Sequence, residues 1–326
     1  MRPQALLAAR ALVCAAGLAL AAGAAAQFTP TRPVTITVGF APGGGTDTAA
    51  RIVAKKLSEN IGQSVVVENR AGAGGNIAAQ HVATAAPDGY LIHLSSVGPL
   101  TVAPAMQKNL AYDVKRDIAP ITMAAVFPNV FIVHPGVPAK TLKEFVELAR
   151  QKKGEVSYGS SGVGGAGHLS GELFKQRAGV DLIHVPYKGG GPAMTDLLGG
   201  RIHMYASVPS TARPHVQSGK AIALATTGLK RTAVMPDVPT VAESGYPGFE
   251  ATNWYAFVMS SKVPKEIQDY WNRELVKVLK DPAVAAELAK HGLEPQPGSA
   301  QELASYIDSE TEKWGKVIRD AGIKAE

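Results

Sequence analysis

Phe40-Ala41-Pro42-Gly43-Gly44-Gly45-Thr46-Asp47 sets three consecutive glycines between an apolar, β-rich run and a helical period. Glycines let a backbone approach a ligand closely with its N–H groups turned inward. A helix start behind them adds the positive end of a dipole, and the two together make an anion site. The Thr46 hydroxyl can add a hydrogen bond. Asp47 either serves the site or caps the helix. A ligand-free strand-to-helix turn would use the same residues. The Lys-Ser/Thr ending of a nucleotide P-loop is missing, which disfavours a nucleoside triphosphate.

A second loop of the same kind is Ser160-Ser161-Gly162-Val163-Gly164-Gly165-Ala166-Gly167-His168. Gly162, Gly164 and Gly167 match G-x-G-x-x-G formally. A dinucleotide site wants an acid about 20 residues on, at the end of the next strand. The nearest acid, Asp181, precedes that strand. The loop therefore reads as a second anion clamp, with hydroxyls from Ser160 and Ser161 and backbone donors from Gly162, Gly164 and Gly165. Two such loops point to one carboxylate gripped from both sides of a cleft. A third cluster, Gly72-Ala73-Gly74-Gly75, reads as close chain packing, with ligand contact as the alternative.

Enzyme constellations are missing from the sequence. There is no G-x-S-x-G elbow and no His-Glu-x-x-His. The eight histidines show no local metal-ligand spacing, and the one cysteine is Cys14. No catalytic residue, metal or cofactor is expected.

The elements that would position these loops alternate strand and helix. Val34–Val38, Ser64–Glu68 and Tyr90–Leu94 read as strands, with helices over Asp47–Asn60 and Asn76–Ala85 between and after the first two. The pattern restarts after Phe127-Pro128. Strands are expected at Val130–Val133, Val156–Tyr158, Leu182–Val185, Ile202–Ala206 and Ile222–Ala225. Helices are expected at Thr141–Gln151, His168–Arg177, Pro192–Leu198 and Pro209–Ser218. From Trp254 the chain turns helical, with starts at Pro264, Asp281-Pro282 and the capping box Ser299-x-x-Glu302. Such alternation predicts two α/β units with mainly parallel sheets and a cleft between them.

Residues 1–26 read as a cleavable secretory signal. Arg2 and Arg10 are its only charges, Ala11–Ala22 is apolar, and Ala24-Ala25-Ala26 precedes Gln27 as a cleavage site. The chain has 326 residues and a formal net charge of +6. Its basic residues are scattered, without the aromatic-basic patch of a nucleic-acid binder. No later apolar run reaches transmembrane length.

Several long stretches resemble the Bug-type receptors of tripartite tricarboxylate transporters. They are Phe40-x-Pro-Gly-Gly-x-x-Asp47-x-x-Ala50-Arg51, Val66-Val67-Glu68-Asn69-Arg70-x-Gly72-x-Gly74-Gly75-Asn76 and Ala86-Pro87-Asp88-Gly89-Tyr90. His168-Leu169-x-Gly171-Glu172-Leu173-Phe174, His184-Val185-Pro186-Tyr187-Lys188-Gly189, Pro192-Ala193-x-Thr195-Asp196-Leu197-Leu198-Gly199-Gly200 and Pro236-Asp237-Val238-Pro239-Thr240 extend the match over the mature chain. The resemblance implies an α/β type II periplasmic binding protein fold, with two Rossmann-like domains joined by two crossover strands near Phe127–Val130 and Phe249–Trp254. Domain 1 would hold residues 27–128 and 250–326, and domain 2 residues 129–249. It implies a monomeric periplasmic receptor that docks transiently to the membrane subunits of a secondary transporter, with no nucleic-acid partner and no membrane insertion. An exported carboxylate-processing enzyme and a ligand-sensing subunit for a signalling partner are the alternatives.

The implied ligand is a small organic di- or tricarboxylate, aliphatic or aromatic. In the family, loops matching Phe40–Asp47 and Ser160–His168 pinch its carboxylate. Discrimination is expected at the distal end, from Ser95, Ser96, Tyr187 and Ser207. Many relatives carry Phe-Asp-Asn after the strand matching Ile202–Tyr205, where this chain reads Tyr205-Ala206-Ser207. Here Ser207 is a neutral donor, suited to a second carboxylate and poor for an ammonium group.

Overall fold

The computed structural model describes residues 28–107 and 109–322. The expected signal and its cleavage site lie outside these residues.

Two sheets organise the described residues. The first contains β1 (Val34–Val38), β2 (Val65–Asn69), β3 (Leu91–Ser96), β4 (Ile118–Pro128), β10 (Thr252–Ser260) and β11 (Glu294–Pro295), in the order β11-β4-β10-β3-β1-β2. The second contains β5 (Val130–Val133), β6 (Ser157–Ser160), β7 (Ile183–Pro186), β8 (Met204–Ser207) and β9 (Ile222–Thr226), in the order β7-β6-β8-β5-β9.

Neither sheet is all parallel. β1 pairs in parallel with β2 and β3, and β6 with β7 and β8. β10 runs antiparallel between β3 and β4, and β5 antiparallel between β8 and β9. The antiparallel strands are those by which the chain changes sheet. It passes from β4 to β5 at Asn129 and returns into β10 after Ala251. The eleven-residue β4 was expected only at its end, as the crossing near Phe127–Val130. The residues from Trp254, expected to turn helical, first form β10, and the helices begin only at Lys265.

The helices that matter here are α1 (Gly45–Ile61) after β1, α2 (Asn76–Ala83) after β2, α3 (Leu142–Gln151) after β5, α4 (Ala166–Ala178) after β6, α5 (Gly190–Leu198) after β7, α6 (Pro209–Gln217) after β8, and the C-terminal α7 (Lys265–Lys280), α8 (Pro282–Lys290) and α9 (Ala300–Ala321). Local chemistry fixes several ends. α1 stops at Gly62, whose positive φ of 65° lets its N–H reach the Ser58 carbonyl. Thr141 with Glu144, and Ser299 with Glu302, form complete capping boxes for α3 and α9. Asp281 caps α8 ahead of Pro282.

Val34, Ile36 and Val38 of β1 are fully buried and pack with Leu57, Trp271 and Leu275. α7 therefore covers the first sheet. Its Trp271 donates to the Gly89 carbonyl at 2.8 Å. A second apolar cluster crosses between the sheets. It runs from Val97 and Leu100 through Trp254 and Trp314 to Phe131, Phe145 and Phe174. The buried Glu310 of α9 accepts from the indole N–H groups of both Trp254 and Trp314, at 3.2 and 2.8 Å. These ties hold the last helix over the strand by which the chain returns. Among the described residues no helix is long and apolar enough to cross a membrane.

Candidate functional site

β1, β6, β7 and β8 each end in a turn that opens directly into a helix, and the four turns meet in one cavity of about 30 Å³ between the sheets. Gly44, Gly45 and Thr46 line it from the start of α1. Gly165 and Ala166 line it from the start of α4, Gly190 from α5, and Val208 from α6. The N-cap residues of these helices are Gly44, Gly165, Gly189 and Val208, and none offers a side-chain cap. The contrast with α3, α8 and α9, which Thr141, Asp281 and Ser299 cap, is physical. The first N–H groups of a helix have no intrahelical acceptor and carry the positive dipole end. Left uncapped around one cavity, they make it a receptor for an anion.

Among the described residues the lining holds no Lys, Arg, Asp or Glu. Its side-chain polar groups are neutral: Thr46, Ser96, Asn129, Ser161, Tyr205, Asn253 and Tyr255. Burial pushes the phenols of Tyr205 and Tyr255 far above their ordinary range, so both remain protonated donors.

Asn129 and Asn253 stand where the chain changes sheet. The Asn253 amide donates to the Asn129 side-chain oxygen at 3.3 Å, and the Asn129 backbone N–H takes the Thr227 hydroxyl as acceptor at 2.8 Å. Thr227 in turn donates to the Ala251 carbonyl at 2.8 Å. One hydrogen-bonded cluster thus ties both crossings and forms part of the cavity wall.

The turn after β1 touches the turn after β7 of the other sheet, and the Ala41 N–H donates to the Lys188 carbonyl at 2.9 Å. A Cβ placed on Gly44 would lie 3.5 Å from the Gly190 nitrogen.

The structure brings Phe40, Gly44, Thr46, Ser96, Ser161 and Gly165 to the cavity and places the remaining expected residues behind it or at its rim. Pro42 and Gly43 are exposed at the rim. Asp47 is buried and turned away from the cavity. It accepts from the Gly43 N–H at 3.1 Å, from Arg51 Nε with both oxygens, and from Asn69 at 3.0 Å. Burial alone would raise its pKa. The hydrogen bonds from Arg51, Gly43 and Asn69 outweigh that and hold it below the usual value. Asp47 is the pin that sets the first loop, and Asn69 secures it further by donating to the Phe40 carbonyl at 2.9 Å.

The second loop has a similar underside. Ser160 donates to the Gly162 carbonyl and meets His184 Nε2 at 2.7 Å. The Gly164 N–H is spent on His168 Nδ1 at 3.1 Å, so it faces away from the cavity. Gly162 packs against Gly74. The Tyr187 hydroxyl donates to Asp196 at 2.8 Å. Ser207 is fully buried and donates to the Val208 carbonyl. Ser95 is buried on the other side of β3 from Ser96.

The sequence reading did not single out Asn129, Gly190, Tyr205, Asn253 or Tyr255. Gly189-Gly190-Gly191 ahead of a helix carried the same signal as the other two loops. Asn129, Asn253 and Tyr255 carried none, because their position depends on β4 and β10.

The profile of a family described as "Tripartite tricarboxylate transporter family receptor" matches residues 49–323. Protein BugT of Bordetella pertussis is 36% identical over 306 residues, covering 94% of each chain. Among solved structures, R. palustris Rpa4515 with adipate superposes with a TM-score of 0.88 at 37% identity, over 90% of this chain and 99% of that one. The periplasmic binding protein BugD gives 0.88 at 34% identity, over 91% and 100%. MatC from Rhodopseudomonas palustris with bound malate gives 0.84 at 30% identity, over 89% and 99%. The alkanesulfonate-binding protein SsuA from Xanthomonas axonopodis pv. citri shares the fold alone, at 13% identity and a TM-score of 0.56.

Proposed function

We propose that this chain, which belongs to the family of receptors of tripartite tricarboxylate transporters, captures a small dicarboxylate between its two lobes in the periplasm and presents it to the membrane subunits of a secondary transporter. The relatives are solute-binding proteins rather than enzymes, and two of them carry adipate and malate. The observation that carries the reading is the convergence of four uncapped helix starts on a cavity without a charged side chain.

Such donors suit an anion. One carboxylate would take N–H groups from the starts of α1 and α4, near Gly44, Gly45 and Ala166. The other end would meet Ser96, Tyr205, Tyr255 and the Asn129–Asn253 pair. The lining offers no carboxylate to an ammonium group, and Asp47 is committed to Arg51 and its own loop. The reading therefore favours a dicarboxylate over an amino acid. The moving bodies would be residues 27–128 with 250–326 and residues 129–249, hinged at the Asn129–Thr227–Ala251 cluster. Ligand would draw them together by binding the closed form more tightly than the open one.

The test is a thermal-shift screen of mono-, di- and tricarboxylates, amino acids and sulfonates, followed by calorimetry. Ligand that binds only the native state raises its melting temperature. Adipate, malate or a close dicarboxylate is expected to give the largest rise. A larger rise with an amino acid, or with no acid at all, would contradict the reading.

A further inference from the structure

The Gly72-Ala73-Gly74-Gly75 turn after β2 does not itself line the cavity, although Gly75 packs against the Phe40 ring, and at Gly74 it meets the backbone of the second glycine loop. A Cβ on Gly74 would stand 2.2 Å from the Val163 carbonyl oxygen and 3.4 Å from its carbon. Real Cβ atoms do not approach so closely, and the obstruction is backbone, which cannot rotate aside. From the other side, a Cβ on Gly162 would lie 3.0 Å from the Gly74 Cα. A Cβ on Gly98, at the turn after β3, would lie 3.1 Å from the Gly164 carbonyl oxygen. Gly72, Gly74, Gly75 and Gly98 belong to the first lobe. Val163, Gly162 and Gly164 belong to the loop that supplies Ser161 and Gly165 to the cavity.

We propose that the Gly72–Gly75 turn, with Gly98, is the seat on which the second glycine loop lands when the lobes close. Gly74 is then a positioning residue that sets ligand affinity without touching ligand. The loop Ser160–His168 is held on its own side by His168 and His184, and these cannot press it toward the first lobe. The seat supplies that stop. It works together with the Ala41–Lys188 hydrogen bond on the opposite side of the cavity, so the second lobe is supported at two points flanking the ligand. Only a bare backbone permits this distance, which accounts for the glycine at position 74. The inference rests on the binding reading above for its ligand, but closure itself is measurable without one.

The protein contains a matched control. Gly74 has φ 63° and ψ 18°, and Gly62 has φ 65° and ψ 19°. A Cβ on Gly62 meets nothing within 4 Å. Gly62→Ala and Gly74→Ala therefore carry the same backbone strain, and only the second puts a methyl group into the seam. Gly98→Ala has no positive φ and serves as a second, strain-free variant.

The experiment places spin labels on Lys55→Cys and Lys143→Cys, at exposed positions one on each lobe, and reads their distance by double electron–electron resonance with and without adipate. Parent and Gly62→Ala are expected to show a short-distance population that adipate enlarges. Gly74→Ala and Gly98→Ala are expected to lose most of it. Adipate affinity should fall by about tenfold or more in Gly74→Ala relative to Gly62→Ala, since an overpacked contact costs that much. The ligand-free melting temperatures of Gly62→Ala and Gly74→Ala should agree. Equal short-distance populations in these two variants would overturn the proposal, as would a parent that never closes. Closure lost in Gly74→Ala, in a protein that binds no carboxylate, would uphold the seat and overturn the binding reading instead.

Discussion

The imidazoles of His168 and His184 stack with their centroids 4.1 Å apart and their planes 21° from parallel, directly under the second glycine loop. His168 must be neutral at Nδ1 to accept the Gly164 N–H, and His184 Nε2 faces Ser160. His184 Nδ1 is buried with no partner among the described residues. Around the pair stand Tyr158, whose ring lies 4.9 Å from His184, and Glu172, which takes the Tyr158 hydroxyl and Lys175. The loop thus rests on two uncharged rings.

Acid should undo this support. Burial first, then His168 and Lys175, depress the His184 pKa to about 3, and burial lowers His168 as well. His93, locked to the Thr37 carbonyl in the first sheet, is pushed down to about 4, chiefly by burial. A histidine depressed in the folded state binds fewer protons there than when unfolded. Its stabilising contribution is complete above pH 6.5 and shrinks as pH falls toward the folded value. For the fully buried His93 the loss at pH 4 is about 3 kcal/mol. The melting temperature should fall steadily from pH 6.5 to 4, and His184→Gln should flatten that slope. An unchanged slope in His184→Gln would show that His184 is not buried as a neutral ring.

Asp47 should matter to ligand although it touches none. Asp47→Asn keeps the shape but loses the charge that holds Arg51 and weakens the acceptor for Gly43. Charge-assisted bonds of this kind contribute about 1.5–3 kcal/mol. Carboxylate affinity is expected to drop by about tenfold, measured by calorimetry. Unchanged affinity would mean that the first loop keeps its form without its pin.

A charge placed in the lining should be far more damaging. Asn253 is buried, donates to Asn129 and accepts the Trp254 N–H at 2.8 Å. Asn253→Asp is nearly isosteric and sets a carboxylate beside an anionic ligand, a like-charge contact of several kcal/mol. Dicarboxylate binding should become undetectable by calorimetry, with a fold intact by circular dichroism. Retained binding would remove Asn253 from the ligand's distal end.

Much of this was legible in the residues. The strands Val34–Val38 and Val130–Val133 and the boxes at Thr141 and Ser299 were readable because local pattern and tertiary role agree there. The first two glycine loops were legible because a helix start needs a cap, and glycine is a conspicuous failure to provide one. β4 and β10 were legible only at their crossings, which the resemblance implied near Phe127–Val130 and Phe249–Trp254, and their lengths were hidden. Their burial is nearly continuous, so neither shows a period of two, and their pairing spans well over a hundred residues. Asn129, Asn253 and Tyr255 were lost with them. Asp47, His168 and Ser160 looked like ligand groups because sequence places them in the loops. Only coordinates show that they face the loops' undersides.

The most direct measurement is a crystal structure of the protein with whichever dicarboxylate stabilises it most. One carboxylate should lie within hydrogen-bonding distance, about 3 Å, of backbone N–H groups at the starts of both α1 and α4, with Ala41 still donating to Lys188. A ligand held elsewhere, or held in the cleft with its carboxylates directed away from those helix starts, would contradict the account.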